Sequence, residues 1–320
     1  MRRPYGHFGG PGSGWRICLY PRLADITAGV VIRGSTKIVG IFGDPVAHSR
    51  SPAMHNAAFA HLGVDYIYVP LQVKPDDLRA AVVAIRALNL AGVNVTVPHK
   101  ERILPLLDSV SEAATRAGAV NTVINRAGHL HGENTDGIGF VRALRDRGVT
   151  PRGLRIVVVG AGGAARGVIA ALVGSGARRV VIANRTFSRA RRLARLFGGR
   201  ETAINVLPLD ALTAESTLAD ADLVVNATAI GLHGERFPDL AYAASRSTCL
   251  FYDLLYGADT DFLRSARRHR RPTLDGATML LHQGAAAFSL WTGRRPPLSV
   301  MAKALGLRVQ NKIDKPKRRR

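Results

Sequence analysis

The chain of 320 residues is poor in cysteine, in acidic residues and in long apolar runs. Its two cysteines, Cys18 and Cys249, share no metal-ligand spacing, which argues against a zinc site and against a disulfide framework. No apolar run approaches the roughly 20 residues that a helix needs to cross a bilayer. These absences predict a globular cytoplasmic protein that holds no metal and makes no membrane contact.

Acidic residues number 23 against 45 basic ones, so the net charge is +22. Eleven of the basic residues lie at the two ends, 1–35 and 309–320, and another eleven are the arginines of residues 151–200, which contain no acid. A positive field of this kind suits a strongly anionic small ligand as well as it suits DNA. Nucleic-acid binding therefore stays open as an alternative, although we expect no such partner.

The chain is longer than the roughly 100–150 residues of an ordinary domain, so we expect two domains. Short β-branched runs alternate with longer helical patterns, which is typical of an α/β fold. Residues 1–35, rich in glycine, proline and arginine, are predicted to be a disordered extension, and residues 308–320 a basic tail. The turn residues of Gly148–Gly153 predict the boundary before a second α/β unit.

Hydrophobic patterning predicts the main elements of both units. We expect strands at Lys37–Phe42, Tyr66–Leu71 and Gly92–Val97, a hairpin of Ala119–Asn125 with His129–Gly132, and a connecting helix over Ile138–Arg147. Further helices are expected near Pro52–Leu62, Asp76–Leu88, Ala277–Thr292 and Ser299–Leu307, and one after Pro98.

A glycine-rich turn follows the apolar strand Arg155–Val159 and leads into a helical pattern. In this strand-turn-helix setting, glycines allow the tight turn and let backbone N–H groups approach a pyrophosphate at the helix N-terminus. The pattern predicts a dinucleotide site formed by Gly160, Gly162, Gly163 and Ala164.

The end of the next strand, Arg179–Ala183, indicates which dinucleotide is bound. Binders of NAD usually place an acid here for the ribose hydroxyl, whereas this chain continues with Asn184, Arg185 and Thr186, and Arg189 follows one turn later. Arg185 can stack on adenine and pair with a 2′-phosphate, Arg189 can add charge, and the other two can donate hydrogen bonds. The sequence therefore predicts NADP(H) as cofactor.

Polar residues of the first unit fall after strands, where α/β folds place ligands. Each alone has a structural explanation, since serine caps helices, asparagine and aspartate favour turns, and a lone lysine is usually solvated. The residues concerned are Ser49, Ser51, Asn94, Thr96, Lys100, Asn121 and Asp136.

Together, nine sequence blocks resemble the shikimate dehydrogenase family, in that family's order, over residues 36–307. They are GDPVAHSRSPAMHNAAF, AGVNVTVPHKE, AGAVNT, GENTDGIGF, VVVGAGGAARG, ANRTFSRA, LVVNAT, YDLLY and MLLHQGAAAF.

The resemblance implies an NADP-linked interconversion of shikimate and 3-dehydroshikimate, with a homodimer as a possible assembly. It implies a substrate-binding domain of residues 36–137 with 277–307, a Rossmann domain of residues 138–276, and a cleft between them. It also implies that Lys100 and Asp136 form the catalytic pair and that Thr228 contacts the cofactor. The residues implied to hold the substrate are Ser49, Ser51, Asn94, Thr96, Asn121, Tyr256 and Gln283.

The reaction requires these residue types, because a hydride leaves for the cofactor while the hydroxyl proton goes to a base. A lysine, with an ordinary pKa near 10.4, is a competent acid for the reverse ketone reduction. Asp136 would orient the ammonium and stabilise its charge.

Two departures from the family pattern stand beside these motifs: His99 replaces the usual Phe, and Ala229 replaces a frequent Ser. We expect His99 to face solvent. Two alternatives stay open, a quinate/shikimate or aminoshikimate dehydrogenase and a non-catalytic NADP-binding regulator.

Overall fold

The computed structural model describes residues 32–197 and 201–307. The predictions for the basic tail, for Cys18 and for nearly all of the N-terminal extension lie outside the described residues. Within these ranges, the helices are all too short or too polar to serve as a membrane span. The predicted α/β fold is confirmed, since the described chain forms two six-stranded sheets with helices packed on them.

The first sheet is mixed, with strand order β2-β1-β3-β5-β6-β4. Strands β1, β2 and β3 are parallel, and β5 runs antiparallel to both β3 and β6. The strands are β1 (Lys37–Gly43), β2 (Tyr66–Gln72), β3 (Gly92–Val95), β4 (Ser109–Val110), β5 (Thr122–Arg126) and β6 (His129–Glu133). The helices among them are α1 (Ser51–Leu62), α2 (Leu78–Ala87) and α3 (Glu112–Ala117).

The second sheet is wholly parallel, with strand order β12-β11-β10-β7-β8-β9. Its strands are β7 (Arg155–Val159), β8 (Arg179–Asn184), β9 (Ala203–Pro208), β10 (Leu223–Asn226), β11 (Leu250–Asp253) and β12 (Thr273–Leu274). The helices with it are α5 (Gly163–Gly174), α6 (Phe187–Arg195), α7 (Glu215–Leu218) and α8 (Asp261–Arg268). Strand order reverses beside β7, which is the place where Rossmann folds bind ligands.

Three further helices are α4 (Asp136–Asp146), α9 (Ala277–Thr292) and α10 (Leu298–Ala304). Helices α4 and α9 pack very closely, because a Cβ on Gly139 would lie 2.7 Å from the Cβ of Gln283. Glycine is thus required here by close approach, and this contact brings Gln283 to the start of α4.

Most predicted elements are present with shifted ends, but the helix predicted after Pro98 is wrong. Residues 98–103 form turns, and only a short 3₁₀ helix, Leu104–Leu106, follows. A tertiary contact replaces the helical hydrogen bond here, because the Lys100 carbonyl accepts from the Val120 N–H at 2.8 Å. Strand β3 also ends at Val95, two residues earlier than expected.

Candidate active site

The two predicted catalytic residues lie together. Lys100, in the turn after β3, places its Nζ 2.6 Å from Oδ2 of Asp136, the first residue of α4. The side chains are 12% and 6% exposed. The other carboxylate oxygen, Oδ1, accepts a hydrogen bond from Asn121 Nδ2 at 2.8 Å. Both carboxylate oxygens are therefore held, and the ammonium is directed by a fixed partner.

Local sequence explains why both groups are rigid. A carboxylate in the first turn of α4 is favoured by the partial positive charge at a helix N-terminus. The backbone N–H of Asp136 also donates to Asn134 Oδ1 at 3.1 Å. The lysine stem packs on the glycine-rich turn, because a Cβ on Gly163 would lie 3.0 Å from the Lys100 Cβ.

A network of buried amides surrounds the pair. Besides Asp136, Asn121 Nδ2 reaches Thr135 Oγ1 at 2.9 Å and Gln283 Oε1 at 3.4 Å. The Thr135 N–H in turn donates to Asn121 Oδ1 at 2.7 Å. Helix α9 thereby adds Gln283 to the same polar cluster.

Asn94 joins this cluster from β3. Its Nδ2 donates to the backbone oxygen of Asn121 at 3.1 Å and to Thr122 Oγ1 at 3.0 Å. Its Oδ1 accepts from the Tyr68 hydroxyl at 2.9 Å. Thr96 follows the same strand, and its Cγ2 lies so close to Gly43 that a Cβ there would collide with it.

The predicted serines lie at the start of α1. Ser51 is buried, Ser49 is half-buried, and Ser49 Oγ accepts from the Ser51 N–H at 3.3 Å. Neither serine is the N-cap residue, which is Arg50 without a side-chain cap, but Ser49 satisfies the N–H of the first helical residue. Tyr256 reaches the same loop; burial raises its pKa, and hydrogen bonds from the Arg50 backbone and Ser49 partly oppose that rise.

The predicted dinucleotide turn is open at the helix N-terminus. Gly160 has φ +115°, and a Cβ there would lie 2.9 Å from the Ala227 carbonyl oxygen. Gly162 is the N-cap of α5, has no side-chain cap, and has nothing within 4 Å of an added Cβ. Ala164 is half-buried in the first turn. Thr228 lies beside Gly160, and its Oγ1 donates to Asn226 Oδ1 at 2.7 Å.

The predicted phosphate-recognition residues follow β8. Arg185, Thr186 and Arg189 are exposed, and Asn184 Nδ2 donates to the Thr186 carbonyl at 2.9 Å. Arg185 lines a cavity of about 480 Å³ together with Pro208, Leu209, Asp210, Thr213, Pro238 and Asp239. Carboxylates thus lie near this arginine in space, although β8 itself ends without one.

His99 does not face solvent, so that expectation is wrong. Its side chain is fully buried, and its Nε2 donates to the Val73 carbonyl at 2.7 Å. The ring nitrogen satisfies a backbone oxygen in the interior of the first unit, where an unpaired carbonyl would be costly.

Sequence reasoning missed several residues of the site. Arg166 of α5 is 8% exposed, and its Nη2 pairs with Glu101 Oε2 at 2.8 Å, directly beside Lys100. The sequence signal for this ion pair was the opposite charges of Glu101, next to Lys100, and Arg166, next to the glycine-rich turn. Tyr68 lies inside the predicted strand Tyr66–Leu71 and Thr135 inside the block GENTDGIGF, and neither is among the predicted site residues. Across the described ranges, no three His, Cys, Asp or Glu side chains group to hold a metal ion.

Family models match most of the chain. The model described as the shikimate dehydrogenase substrate binding domain matches residues 41–123. The shikimate / quinate 5-dehydrogenase model matches residues 146–254, and the shikimate 5'-dehydrogenase C-terminal domain matches residues 276–305.

Individual proteins are similar over nearly their whole length. A shikimate dehydrogenase (NADP(+)) of Desulforamulus reducens is 44% identical over 283 residues, covering 87% of this chain and 97% of that protein. Shikimate 5-dehydrogenase of Thermus thermophilus, solved with NADP(H) and shikimate, is 38% identical with a TM-score of 0.75, covering 85% of this chain and 99% of that one. Quinate dehydrogenase of Corynebacterium glutamicum, solved with NAD, is 35% identical with a TM-score of 0.76, covering 84% and 98%. On this breadth of identity and on the three family models, the chain belongs to the shikimate dehydrogenase family.

Proposed function

We propose that this chain is an NADP-dependent shikimate dehydrogenase, which reduces 3-dehydroshikimate to shikimate reversibly. One observation carries the proposal: the Lys100 Nζ lies 2.6 Å from a buried Asp136 oxygen, and the lysine stem packs against the glycine-rich turn. The proton donor Lys100 therefore lies beside the glycine-rich turn, where the hydride-donating cofactor would bind. The substrate is assigned to residues 36–137 with 277–307, and the cofactor to residues 138–276.

The residues present fit NADP(H). The N-terminus of α5 offers uncapped backbone N–H groups beside open space at Gly162, which suits a pyrophosphate. Arg185 and Arg189 stand exposed after β8, where a 2′-phosphate needs positive charge. Thr228, adjoining Gly160, completes the wall of this half of the site. When bound, the cofactor supplies the hydride.

Lys100 supplies the proton in ketone reduction. One N–H of its Nζ donates a hydrogen bond to Asp136 Oδ2. Another can hydrogen-bond to the substrate oxygen and is transferred to it as the hydroxyl forms. Asp136 stays in place through Asn121 and stabilises the ammonium when the lysine is reprotonated. In the oxidation direction, the same nitrogen accepts the hydroxyl proton.

The buried amides suit a polyhydroxylated ring. Asn94, Asn121 and Gln283 are at most 9% exposed, so an analogue that lacks a matching hydroxyl leaves a buried polar group without its partner. Ser49, Ser51, Thr96 and Tyr256 add hydroxyl groups for the remaining oxygens, including a carboxylate. This polar set favours the sugar-like acid over an apolar alcohol.

Quinate is the second candidate substrate, because its dehydrogenase from Corynebacterium glutamicum shares this fold at 35% identity. The arginine after β8 favours NADP over the NAD of that complex.

The test is a spectrophotometric assay of NADP and NAD reduction with shikimate and with quinate, on one preparation. We expect the highest kcat/KM for shikimate with NADP. An NADP-binding chain that reduces neither cofactor would support the regulator alternative, and retardation of duplex DNA at low salt would support nucleic-acid binding. A cytoplasmic location and a homodimer stay predictions.

A further inference from the structure

We propose that Tyr68 is a positioning residue of the substrate site: its hydroxyl restricts Asn94 to accepting one hydrogen bond from a substrate hydroxyl. The inference rests on the proposed function, because it takes Asn94 as a substrate ligand. It adds a residue of β2 that no sequence motif marks.

The amide orientation of Asn94 follows from its partners. Its Nδ2 faces the backbone oxygen of Asn121 at 3.1 Å, and a carbonyl oxygen can only accept. The second N–H faces Thr122 Oγ1 at 3.0 Å. Both N–H groups are therefore used inside the protein, and Asn94 has no proton left to donate.

On the other side of the amide, the Tyr68 hydroxyl donates to Asn94 Oδ1 at 2.9 Å. An amide oxygen has two lone pairs, so one acceptor position remains. This position suits a hydroxyl, which can donate, and does not suit a ketone or carboxylate oxygen, which can only accept. Asn94 thereby reads one ring hydroxyl.

Tyr68 is held firmly enough to impose this pattern. Its side chain is 1% exposed, and its ring stacks on His55 with centroids 4.6 Å apart and planes 2° apart. Its backbone N–H donates to Asn56 Oδ1 at 2.8 Å, while its carbonyl accepts from Asn56 Nδ2 at 2.9 Å. Burial raises the pKa of Tyr68, against a smaller opposing effect of the Ser51 hydroxyl, so the phenol keeps its proton.

The test compares Tyr68→Phe with a matched control on the same strand, Tyr66→Phe. Both substitutions remove one hydroxyl and keep the ring, but the Tyr66 hydroxyl donates to the backbone oxygen of Trp291 at 3.1 Å. Tyr68→Phe should raise the KM for shikimate roughly three- to tenfold, with kcat and the KM for NADP changed less than twofold. Tyr66→Phe should leave all three values near those of the unaltered enzyme.

A second measurement uses shikimate analogues that each lack one ring hydroxyl. One analogue lacks the hydroxyl that donates to Asn94 Oδ1, and for it the KM of Tyr68→Phe should equal that of the unaltered enzyme. For the other analogues, Tyr68→Phe should still raise the KM. Thermal unfolding of both variants checks that the fold is kept.

Three results would overturn the inference: an unchanged KM in Tyr68→Phe, an equal rise in Tyr66→Phe, or a rise that is the same for every analogue. An unaltered enzyme that reduces no NADP with shikimate would overturn the proposed function as well. The two failures are distinguishable, because only the failure of the proposed function abolishes activity of the unaltered enzyme.

Discussion

Replacing Lys100 by methionine isolates the proton-transferring group. Methionine retains a long apolar side chain that can pack on Gly163, where the lysine stem now lies within 3.0 Å of an added Cβ. The substitution removes the ammonium, and with it the 2.6 Å contact to Asp136 Oδ2. The residues proposed to bind the cofactor after β7 and β8 are unchanged.

The expected loss of turnover follows from the geometry. A positioned general acid contributes about 10²- to 10⁴-fold, which corresponds to about 3–5 kcal/mol of barrier. The upper part of this range is expected, because the two side chains are only 12% and 6% exposed and water has little room to replace the ammonium. The unfolding free energy should fall by a smaller amount, about 1–3 kcal/mol, since one buried carboxylate oxygen loses its partner.

The assay measures kcat for shikimate oxidation alongside a fluorescence titration with NADPH. Lys303→Met, an exposed lysine in the last turn of α10, is the matched control and should behave as the unaltered enzyme. If Lys100→Met kept more than about a tenth of the turnover, or lost NADPH affinity in proportion to kcat, the assignment of the lysine as acid would be refuted.

Two further predictions concern the cofactor and the core. Arg185→Ala should weaken NADP at least tenfold while changing NAD little, because only NADP carries the 2′-phosphate, whereas the exposed Arg191→Ala should leave both unchanged; equal losses for the two cofactors would contradict this. Burial lowers the pKa of His55 from 6.5 to about 3, so the unfolded chain binds the extra proton. The unfolding free energy should therefore decrease as pH falls from 6.5 towards 3, by at most about 1.4 kcal/mol per unit, and His55→Phe should flatten this slope in urea titrations.

The second sheet was the more predictable part of the fold. The apolar β7 leads into a glycine-rich turn and an amphipathic run, and a strand that is buried on both faces in a parallel sheet has this composition. The turn after Val95 was not predictable in this way. The Lys100 carbonyl in this turn accepts from the Val120 N–H, which lies twenty residues along the chain, and local propensity carries no information about such a partner.

Site residues were predictable as chemical types, and the pairing of Lys100 with Asp136 was predictable only through the family resemblance. Lys100 and Asp136 lie 36 residues apart in the chain, and nothing in the sequence around either residue indicates that their side chains come within 2.6 Å of each other. His99 shows the same limit, since a histidine next to Lys100 is expected to be exposed until its hydrogen bond to the buried Val73 carbonyl is known. Tyr68 reads as an ordinary strand aromatic for the same reason.

The orientation of the bound substrate follows from which hydrogen-bond donors of the site are already bonded within the protein. Both N–H groups of Asn94 are bonded internally, and Asn121 Nδ2 is shared among three acceptors. A ketone oxygen can only accept, so these amides are poor partners for it. The Lys100 ammonium has three N–H donors and uses one of them in the hydrogen bond to Asp136. The amide oxygen of Asn121 already accepts from the Thr135 N–H and from Thr122 Oγ1, whereas Asn94 Oδ1 accepts only from Tyr68. In the proposed site, the reducible carbonyl is therefore best matched beside Lys100 and one ring hydroxyl beside Asn94 Oδ1, which orients the ring with its reacting carbon towards the glycine-rich turn.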